Sequence, residues 1–163
     1  MCGIVGAIAQ RNVVPILLEG LKRLEYRGYD SAGLAVVENQ TLRRKRAVGK
    51  VKGLEALIDE DPMQGNLGIA HTRWATHGKP STENAHPHIC RDKVAIVHNG
   101  IIENHEQLRK TQRANGYVFT SETDTEVIVN EIYAHLETTG QLLDAVKETI
   151  KNLRGAYAMG VIS

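Results

Sequence analysis

The sequence has few of the features that mark several large classes of protein. Its 163 residues include two cysteines, Cys2 and Cys90, too few for a disulfide framework, so we expect a reducing, cytoplasmic environment. The formal net charge is only +1, which argues against nucleic acid as a partner. The longest aliphatic run, residues 13–18, contains Pro15 and is far too short to span a membrane. With 42% hydrophobic and 24% charged residues, the composition is that of an ordinary soluble globular domain.

Hydrophobic periodicity predicts strands and helices in blocks, without strict alternation. Strands are expected at residues 2–9, 33–38, 41–48, 67–72, 94–97 and 155–162. Helices are expected at residues 12–28, around 54–58, and at 104–114, 123–136 and 142–153. The basic run at residues 43–46 then decorates an exposed strand and does not bind phosphate. This order favours one domain with a layered α/β (α+β) fold and largely antiparallel sheets.

Cys2 becomes the first residue of the mature chain if Met1 is removed, which a small second side chain permits. A free α-amine has a pKa of about 7.7–8.0 and a thiol one of about 8.5, so the amine is a suitable base for the thiol of the same residue. The alternative is that Cys2 is a small buried strand residue, a common place for an unpaired cysteine. Position alone leaves both roles open.

The dipeptide Asn99-Gly100 follows a predicted buried strand, and we expect it to end that strand. An Asn carboxamide N–H and a Gly backbone N–H can converge on one point, as an oxyanion hole requires. A glycine also removes the side chain that would block a substrate. Since Asn-Gly is equally typical of a hairpin turn, the dipeptide alone predicts little.

The segment from His71 to Gly78 contains the only tryptophan of the chain. The guanidinium of Arg73 suits a carboxylate ligand, Trp74 suits the cover of a pocket, and Gly78 suits a loop that closes as a lid. The alternative is a core tryptophan beside a surface arginine. Asp124, at a predicted helix start, either favours the positive end of the helix dipole or binds a substrate ammonium group. The second option would complement Arg73 around an α-amino acid.

The seven histidines raise the question of a metal site, which their spacing does not favour. His86 and His88 form the best local pair, but no His-Glu-x-x-His arrangement and no cysteine pair accompanies them. No phosphate-binding glycine loop or dinucleotide motif is present either. We therefore expect neither a metal nor a cofactor.

Taken together, several segments resemble one known family. They are MCGIVG at residues 1–6, LEYRGYDSAG at 24–33, HTRWATHG at 71–78, NAHPH at 84–88, VHNGIIEN at 97–104 and SETDT at 121–125. In this order they are similar to the N-terminal glutaminase domain of the glutamine–fructose-6-phosphate aminotransferases, or glucosamine-6-phosphate synthases. The resemblance covers essentially the whole chain, and it is far more specific than any single motif.

This resemblance implies a class II glutamine amidotransferase with the N-terminal-nucleophile hydrolase fold, a four-layer αββα sandwich with mainly antiparallel sheets. It implies a Cys2 nucleophile that forms a thioester, and an oxyanion hole made by Asn99 and Gly100. The residues that it implies for glutamine binding are Arg73, Trp74, Thr76, His77, Asp124 and Arg27. The reaction would convert L-glutamine to L-glutamate and ammonia without a cofactor or metal.

The resemblance also implies partners for the chain. In the full-length enzyme, a sugar-isomerising synthase domain would use the ammonia to convert fructose 6-phosphate to glucosamine 6-phosphate, and a homodimer is expected. Because the family's glutaminase domain continues past the position of Ser163, we expect residues 1–163 to be a partial type-2 amidotransferase domain, without the sugar-isomerising domains. The alternatives are a related enzyme such as amidophosphoribosyltransferase, or a non-catalytic fragment that folds or binds glutamine without turnover.

Overall fold

The structure, a computed structural model, describes residues 2–75 and 78–163. Within these residues the strands are β1 (Gly3–Ile8), β2 (Ser31–Glu38), β3 (Thr41–Val48), β4 (Leu67–Arg73), β5 (His88–Cys90), β6 (Val94–Ile102) and β7 (Gly155–Ile162). The helices are α1 (Val14–Leu24), α2 (Val51–Glu60), α3 (His105–Ala114), α4 (Thr125–Thr139) and α5 (Leu142–Asn152), and a 3₁₀ turn follows α1 at Glu25–Arg27. Most predicted elements are confirmed to within a few residues.

The strands form two antiparallel sheets that pack between two layers of helices. The first sheet has the order β1-β4-β2-β3, and the second has the order β5-β6-β7. Apolar residues of α1 and α2 form one core with the outer face of the first sheet, and residues of α4 and α5 form another with the second sheet. A third apolar cluster fills the space between the sheets. The predicted αββα layering is therefore confirmed.

The first helix shows how local sequence sets these elements. Leu17 and Leu21 lie one turn apart and are both fully buried against the first sheet. Pro15 occupies the first turn, where its missing N–H costs no helical hydrogen bond. Val13 occupies the N-cap position, and the side-chain oxygen of the preceding Asn12 accepts the backbone N–H of Val14 at 3.2 Å, which satisfies one N–H at the helix start.

Side-chain alternation decides which residues meet between the two sheets. Ile4 of β1, Ile69 of β4 and Val97 of β6 all belong to the inter-sheet cluster. Successive side chains on a strand point to opposite faces, so the residue two positions before Ile4 and the residue two positions after Val97 share this layer. These residues are Cys2, immediately before β1, and Asn99 on β6. The inter-sheet layer thus changes from apolar to polar at one end.

Asn99 and Gly100 do not end the strand, so this prediction was wrong. Strand β6 continues to Ile102, with Asn99 opposite Ala158 and Gly100 opposite Tyr157 on β7. The partner strand comes from residues far along the chain, and its pairing carries β6 through a dipeptide that is locally typical of a turn. Gly100 has φ of +120°, and a Cβ there would lie 2.2 Å from the carbonyl oxygen of Ala156, so only glycine fits.

The basic run lies on β3, at an edge of the first sheet, as expected for an exposed strand. Arg43 binds the carboxylates of Glu38 and Asp61 at 2.7 and 2.8 Å. Arg46 donates to the carbonyl oxygens of Glu83 and Ala85 at 3.0 and 2.9 Å. These contacts within the chain account for Arg43 and Arg46 without a phosphate ligand.

Gly33 on β2 marks a close approach between the first sheet and the segment that leads to β5. A Cβ at this position would lie 2.2 Å from the carbonyl oxygen of His86 and 2.9 Å from that of Lys45. We predict that Gly33→Ala lowers the free energy of unfolding by about 1–3 kcal/mol, because backbone atoms must shift to admit the methyl group. Urea denaturation measures the change.

The matched control is Gly6→Ala on β1, in the same sheet. No atom lies within 4 Å of a Cβ built at Gly6, so this methyl group meets open space. The control should change the free energy of unfolding by less than about 1 kcal/mol. Equal destabilisation by the two substitutions would contradict the steric explanation.

Candidate active site

A pocket of about 240 Å³ opens at the polar end of the inter-sheet layer. Its lining residues are Cys2, Arg73, Trp74, His86, His98, Gly100, Ile101, Thr123, Asp124 and Thr125. They come from the chain start, the end of β4, the segment before β5, the second half of β6 and the start of α4. The pocket is small for a drug-sized ligand and suits a molecule the size of one amino acid.

Some of the predicted site residues line this pocket and others do not. Cys2, Arg73, Trp74, Gly100 and Asp124 all line it. Asn99 precedes Gly100 on β6, with its side-chain oxygen 2.7 Å from a buried ring nitrogen of β4. Arg27 is half-buried in the 3₁₀ turn and is not among the described lining residues. Thr76 and His77 lie outside the described residues.

The thiol of Cys2 contacts the backbone of Trp74. The Trp74 N–H donates to Sγ of Cys2 at 3.1 Å, and the Trp74 carbonyl oxygen lies 3.5 Å from the same sulfur. A backbone N–H that points at the sulfur orients the thiol and places the positive end of the N–H dipole beside it. The chain start is thereby fixed to the end of β4, next to the side chains that bound the pocket.

The indole of Trp74 covers this end of the molecule from outside. Its side chain is 54% exposed, whereas Arg73 is only 3% exposed, so the alternative of a core tryptophan beside a surface arginine is wrong. A Cβ at Gly28 would lie 3.0 Å from an indole carbon. Gly28, which has φ of +72°, therefore lets the ring pack directly against the turn that follows α1.

Arg73 is held at the pocket by Asp30. Its Nη1 lies 3.8 Å from Oδ1 of Asp30, and its carbonyl oxygen accepts the Asp30 backbone N–H at 2.7 Å. The other carboxylate oxygen of Asp30 accepts the Ala75 N–H at 2.5 Å. Asp30 gives this buried guanidinium an anionic partner, and a ligand carboxylate in the pocket would be a second one. Asp30 lies in the LEYRGYDSAG segment, but nothing in its local sequence predicts this contact with Arg73.

Asp124 supplies a buried negative charge to the same pocket. It is 4% exposed, and its Oδ2 accepts the Ile102 backbone N–H at 2.8 Å. It occupies the N-cap position of α4 but makes no side-chain hydrogen bond to the helix. A carboxylate has about four acceptor sites, so it can also accept hydrogen bonds from a ligand ammonium group.

The loop that carries Asp124 is fixed from both sides. Glu126 accepts the backbone N–H groups of Thr120 and Ser121 at 2.8 and 2.7 Å. Arg109 of α3 donates to the carbonyl oxygens of Ser121 and Thr123 at 3.0 and 2.5 Å. Charge-assisted hydrogen bonds are among the stronger ones, so the position of the Asp124 backbone is set by neighbours outside the pocket.

Four buried histidines cluster at the pocket, namely His71, His86, His88 and His98, and two of them, His86 and His98, are among its lining residues. The ring centroids of His71 and His86 are 4.3 Å apart, and those of His86 and His88 are 4.9 Å apart. His86 and His98 both bind the hydroxyl of Thr125, at 2.7 and 2.9 Å. The rings therefore form a packed polar layer that joins the second sheet to the start of α4. Sequence spacing gave no signal for this layer.

Burial keeps the imidazoles of His71, His86 and His88 neutral. It lowers the pKa of His71 to about 4, and it lowers the pKa values of His86 and His88 well below the usual range. In the part of the chain that the structure describes, no group of three or more His, Cys, Asp or Glu residues could hold a metal ion. The predicted local pair, His86 and His88, instead makes hydrogen bonds to Thr125 and Thr123.

Comparison with known proteins identifies the family to which the chain belongs. The glutamine amidotransferase domain family matches residues 71–163. The chain has the fold of N-terminal-nucleophile-type glutamine amidotransferases, as shown by the glutamine phosphoribosylpyrophosphate amidotransferase of B. subtilis solved with ADP and GMP. The TM-score is 0.84 at 26% identity, over 100% of this chain and 35% of that one. A structure of the allosteric regulatory enzyme of purine biosynthesis gives 0.79 at 28% identity, over 99% and 34%. The chain therefore belongs to the glutamine amidotransferase domain family.

Curated relatives are more similar in sequence. The glutamine–fructose-6-phosphate aminotransferase [isomerizing] of Pseudomonas putida is 61% identical over 100% of this chain and 27% of its own length. The protein of the same name from Haemophilus influenzae is 60% identical over 99% of this chain and 27% of its own length. The chain thus spans about a quarter of the length of these relatives.

The histidine layer predicts an acid-sensitive fold. The folded state keeps His71 neutral down to a pKa of about 4, whereas an unfolded His takes up a proton near pH 6.5, so the unfolded state binds more protons between these values. The free energy of unfolding should be highest above pH 6.5 and should fall as the pH is lowered toward 4. His71 alone should account for a loss of about 3 kcal/mol. Urea denaturation across this range measures it.

The variant His71→Gln removes one of these proton-binding groups, and its stability should fall less steeply below pH 6.5. The control variant His135→Gln changes a histidine on the surface of α4 whose side chain is 29% exposed, and it should keep the steep fall. An identical pH dependence for wild type and His71→Gln would show that His71 does not contribute.

Proposed function

We propose that this chain hydrolyses L-glutamine to L-glutamate and ammonia. The observation that carries the proposal is the convergence of Cys2, Arg73 and Asp124 on one pocket of about 240 Å³. A thiol, a buried cation and a buried anion match the side-chain amide, α-carboxylate and α-ammonium groups of one glutamine. Membership of the glutamine amidotransferase domain family supports this reading of the geometry.

Arg73 and Asp124 would orient the substrate. The guanidinium of Arg73 binds the α-carboxylate and the carboxylate of Asp124 binds the α-ammonium, so the glutamine side chain extends toward Cys2. Trp74 closes over the bound molecule, Thr76 and His77 contribute to its binding, and Arg27 orders the turn near Trp74. Fixing both groups on the α-carbon holds the side-chain amide in one direction and supplies the proximity on which attack by a single thiol depends.

Cys2 would then act as the nucleophile. Removal of Met1 leaves its α-amine free, and this amine accepts the thiol proton as Sγ attacks the amide carbon. The side-chain N–H of Asn99 and the backbone N–H of Gly100 stabilise the oxyanion of the tetrahedral intermediate. The amine passes the proton to the leaving ammonia, and water hydrolyses the Cys2 thioester to glutamate.

The second cysteine is unsuited to this role. Cys90 is 5% exposed, and burial raises the pKa of its thiol to about 11. A thiol of this kind stays protonated and unreactive at neutral pH. Cys90 therefore provides an internal control for reactions directed at Cys2.

We further propose that residues 1–163 are part of a type-2 glutamine amidotransferase domain in a longer, cytoplasmic, homodimeric enzyme. The ammonia would serve a sugar-isomerising synthase domain, absent from these residues, that converts fructose 6-phosphate to glucosamine 6-phosphate. Support comes from 61% identity to a glutamine–fructose-6-phosphate aminotransferase, against 26% to the phosphoribosylpyrophosphate enzyme. Both cysteines are free, and no described helix is long and apolar enough to cross a membrane.

The nucleophile is tested with 6-diazo-5-oxo-norleucine, a glutamine analogue that alkylates a reactive thiol. We predict one adduct on the wild-type chain by intact mass, no adduct on Cys2→Ala, and one adduct on Cys90→Ala. Circular dichroism confirms that each variant is folded. A folded wild type that stays unlabelled, or an adduct mapped to Cys90, would refute the assignment.

The division of roles is tested by kinetics of glutamine hydrolysis. Asn99→Ala removes an oxyanion donor, so kcat should fall roughly 10²–10³-fold with KM little changed. Arg73→Ala removes the carboxylate contact, so mainly KM should rise. Arg43→Ala, an arginine in surface ion pairs on β3, is the control and should leave both constants near wild type. Similar kinetic changes in the Asn99 and Arg73 variants would contradict the division.

A further inference from the structure

We propose that His71 is a positioning residue for the oxyanion hole, which it serves by fixing the orientation of the Asn99 side-chain amide. The inference rests on the proposed glutamine hydrolysis, and it adds a residue that touches neither the substrate nor the reacting atoms. His71 would donate its Nε2–H to the Asn99 side-chain oxygen and so turn the amide N–H groups of Asn99 toward the oxyanion.

The contact that carries this proposal joins the two sheets. His71 lies on β4 of the first sheet and Asn99 on β6 of the second. Nε2 of His71 and Oδ1 of Asn99 are 2.7 Å apart, an ordinary hydrogen-bond length. Cys2 is at the start of β1, which pairs with β4, so one interaction sets the second sheet's Asn99 relative to the first sheet's nucleophile.

The orientation of Asn99 matters because a carboxamide has two different ends. Its oxygen only accepts hydrogen bonds and its nitrogen only donates them, although the two ends have nearly the same shape. Rotation by 180° would point the oxygen lone pairs at a developing oxyanion and repel it. The amide can therefore serve an oxyanion hole in only one of its two orientations, and a fixed neighbour must select that one.

His71 can make this selection because the neutral ring has a single N–H, which we place on Nε2. The ring is fully buried, and burial lowers its pKa to about 4, so it is neutral at pH 7 and carries one N–H. Among the described residues, Nδ1 has no hydrogen-bond partner of ordinary geometry, although the backbone of His98 also interacts with this ring. A proton on Nε2 satisfies the contact with Asn99 directly.

The ring is also held in place from behind. The imidazole of His86 packs against it with centroids 4.3 Å apart and ring planes tilted by 47°, and His86 is itself bound to Thr125 at the start of α4. A donor on a packed ring keeps its direction through a reaction cycle, as a preorganised oxyanion hole requires. His71, which is not among the described lining residues of the pocket, thereby acts on Asn99 from outside it.

A double-mutant cycle separates positioning from general structural support. His71→Leu should lower kcat at least about tenfold with KM within about twofold, and His71→Gln, whose amide nitrogen can replace Nε2–H, should restore most of kcat. In the Asn99→Ala background, His71→Leu should lower kcat no further. His88→Leu is the matched control, and its effect should be the same in both backgrounds because His88 binds Thr123 instead. Additive losses for His71 and Asn99 would overturn the proposal.

A second measurement does not depend on activity or on any variant. In ¹⁵N-labelled wild-type chain at pH 7, long-range ¹H–¹⁵N spectra should show His71 as the neutral Nε2–H tautomer. The Nδ1–H tautomer would overturn the proposal, because Nε2 would then accept from Asn99 and the amide would face the wrong way. A wild type without glutamine turnover would refute the proposed function, while the tautomer would still decide the contact between His71 and Asn99.

Discussion

The two sheets pack face to face, and the alternation of side chains along each strand decides what meets between them. Ile4, Ile69 and Val97 fill the middle of this layer, while Cys2 and Asn99 follow at its end with the same periodicity. The candidate nucleophile and an oxyanion donor are thus placed by core packing. A shift of one residue in any of these strands would turn its functional side chain into a helix-facing core.

Much of the fold could be predicted because its elements carry local signals. Leu17 and Leu21 mark α1 by their spacing, and the alternating or apolar runs around β2, β3 and β7 mark strands. The extension of β6 through Asn99 and Gly100 could not be predicted. It depends on pairing with a strand more than fifty residues away, and neither residue's own preference reveals that partner.

The candidate site likewise contains residues that the sequence could predict and residues that it could not. Cys2, Arg73 and Asp124 could be selected by residue type, since a thiol, a guanidinium and a carboxylate each suggest a role. The histidine layer could not, because its members are spread along the chain and each has an unremarkable local context. Likewise, nothing near Asp30 indicates that it holds Arg73 and the Ala75 backbone. These contacts exist only once distant strands are adjacent.

The basic composition of β3 has a consequence for the behaviour of the protein in concentrated solution. This strand is an edge of the first sheet, so part of its backbone can pair with another chain. If two copies met here antiparallel about Arg44, the two Arg44 side chains would face each other and Arg43 would face Lys45, each a like-charged pair. Repulsion between the copies therefore protects this edge from sheet-to-sheet aggregation, independently of any role in the pocket.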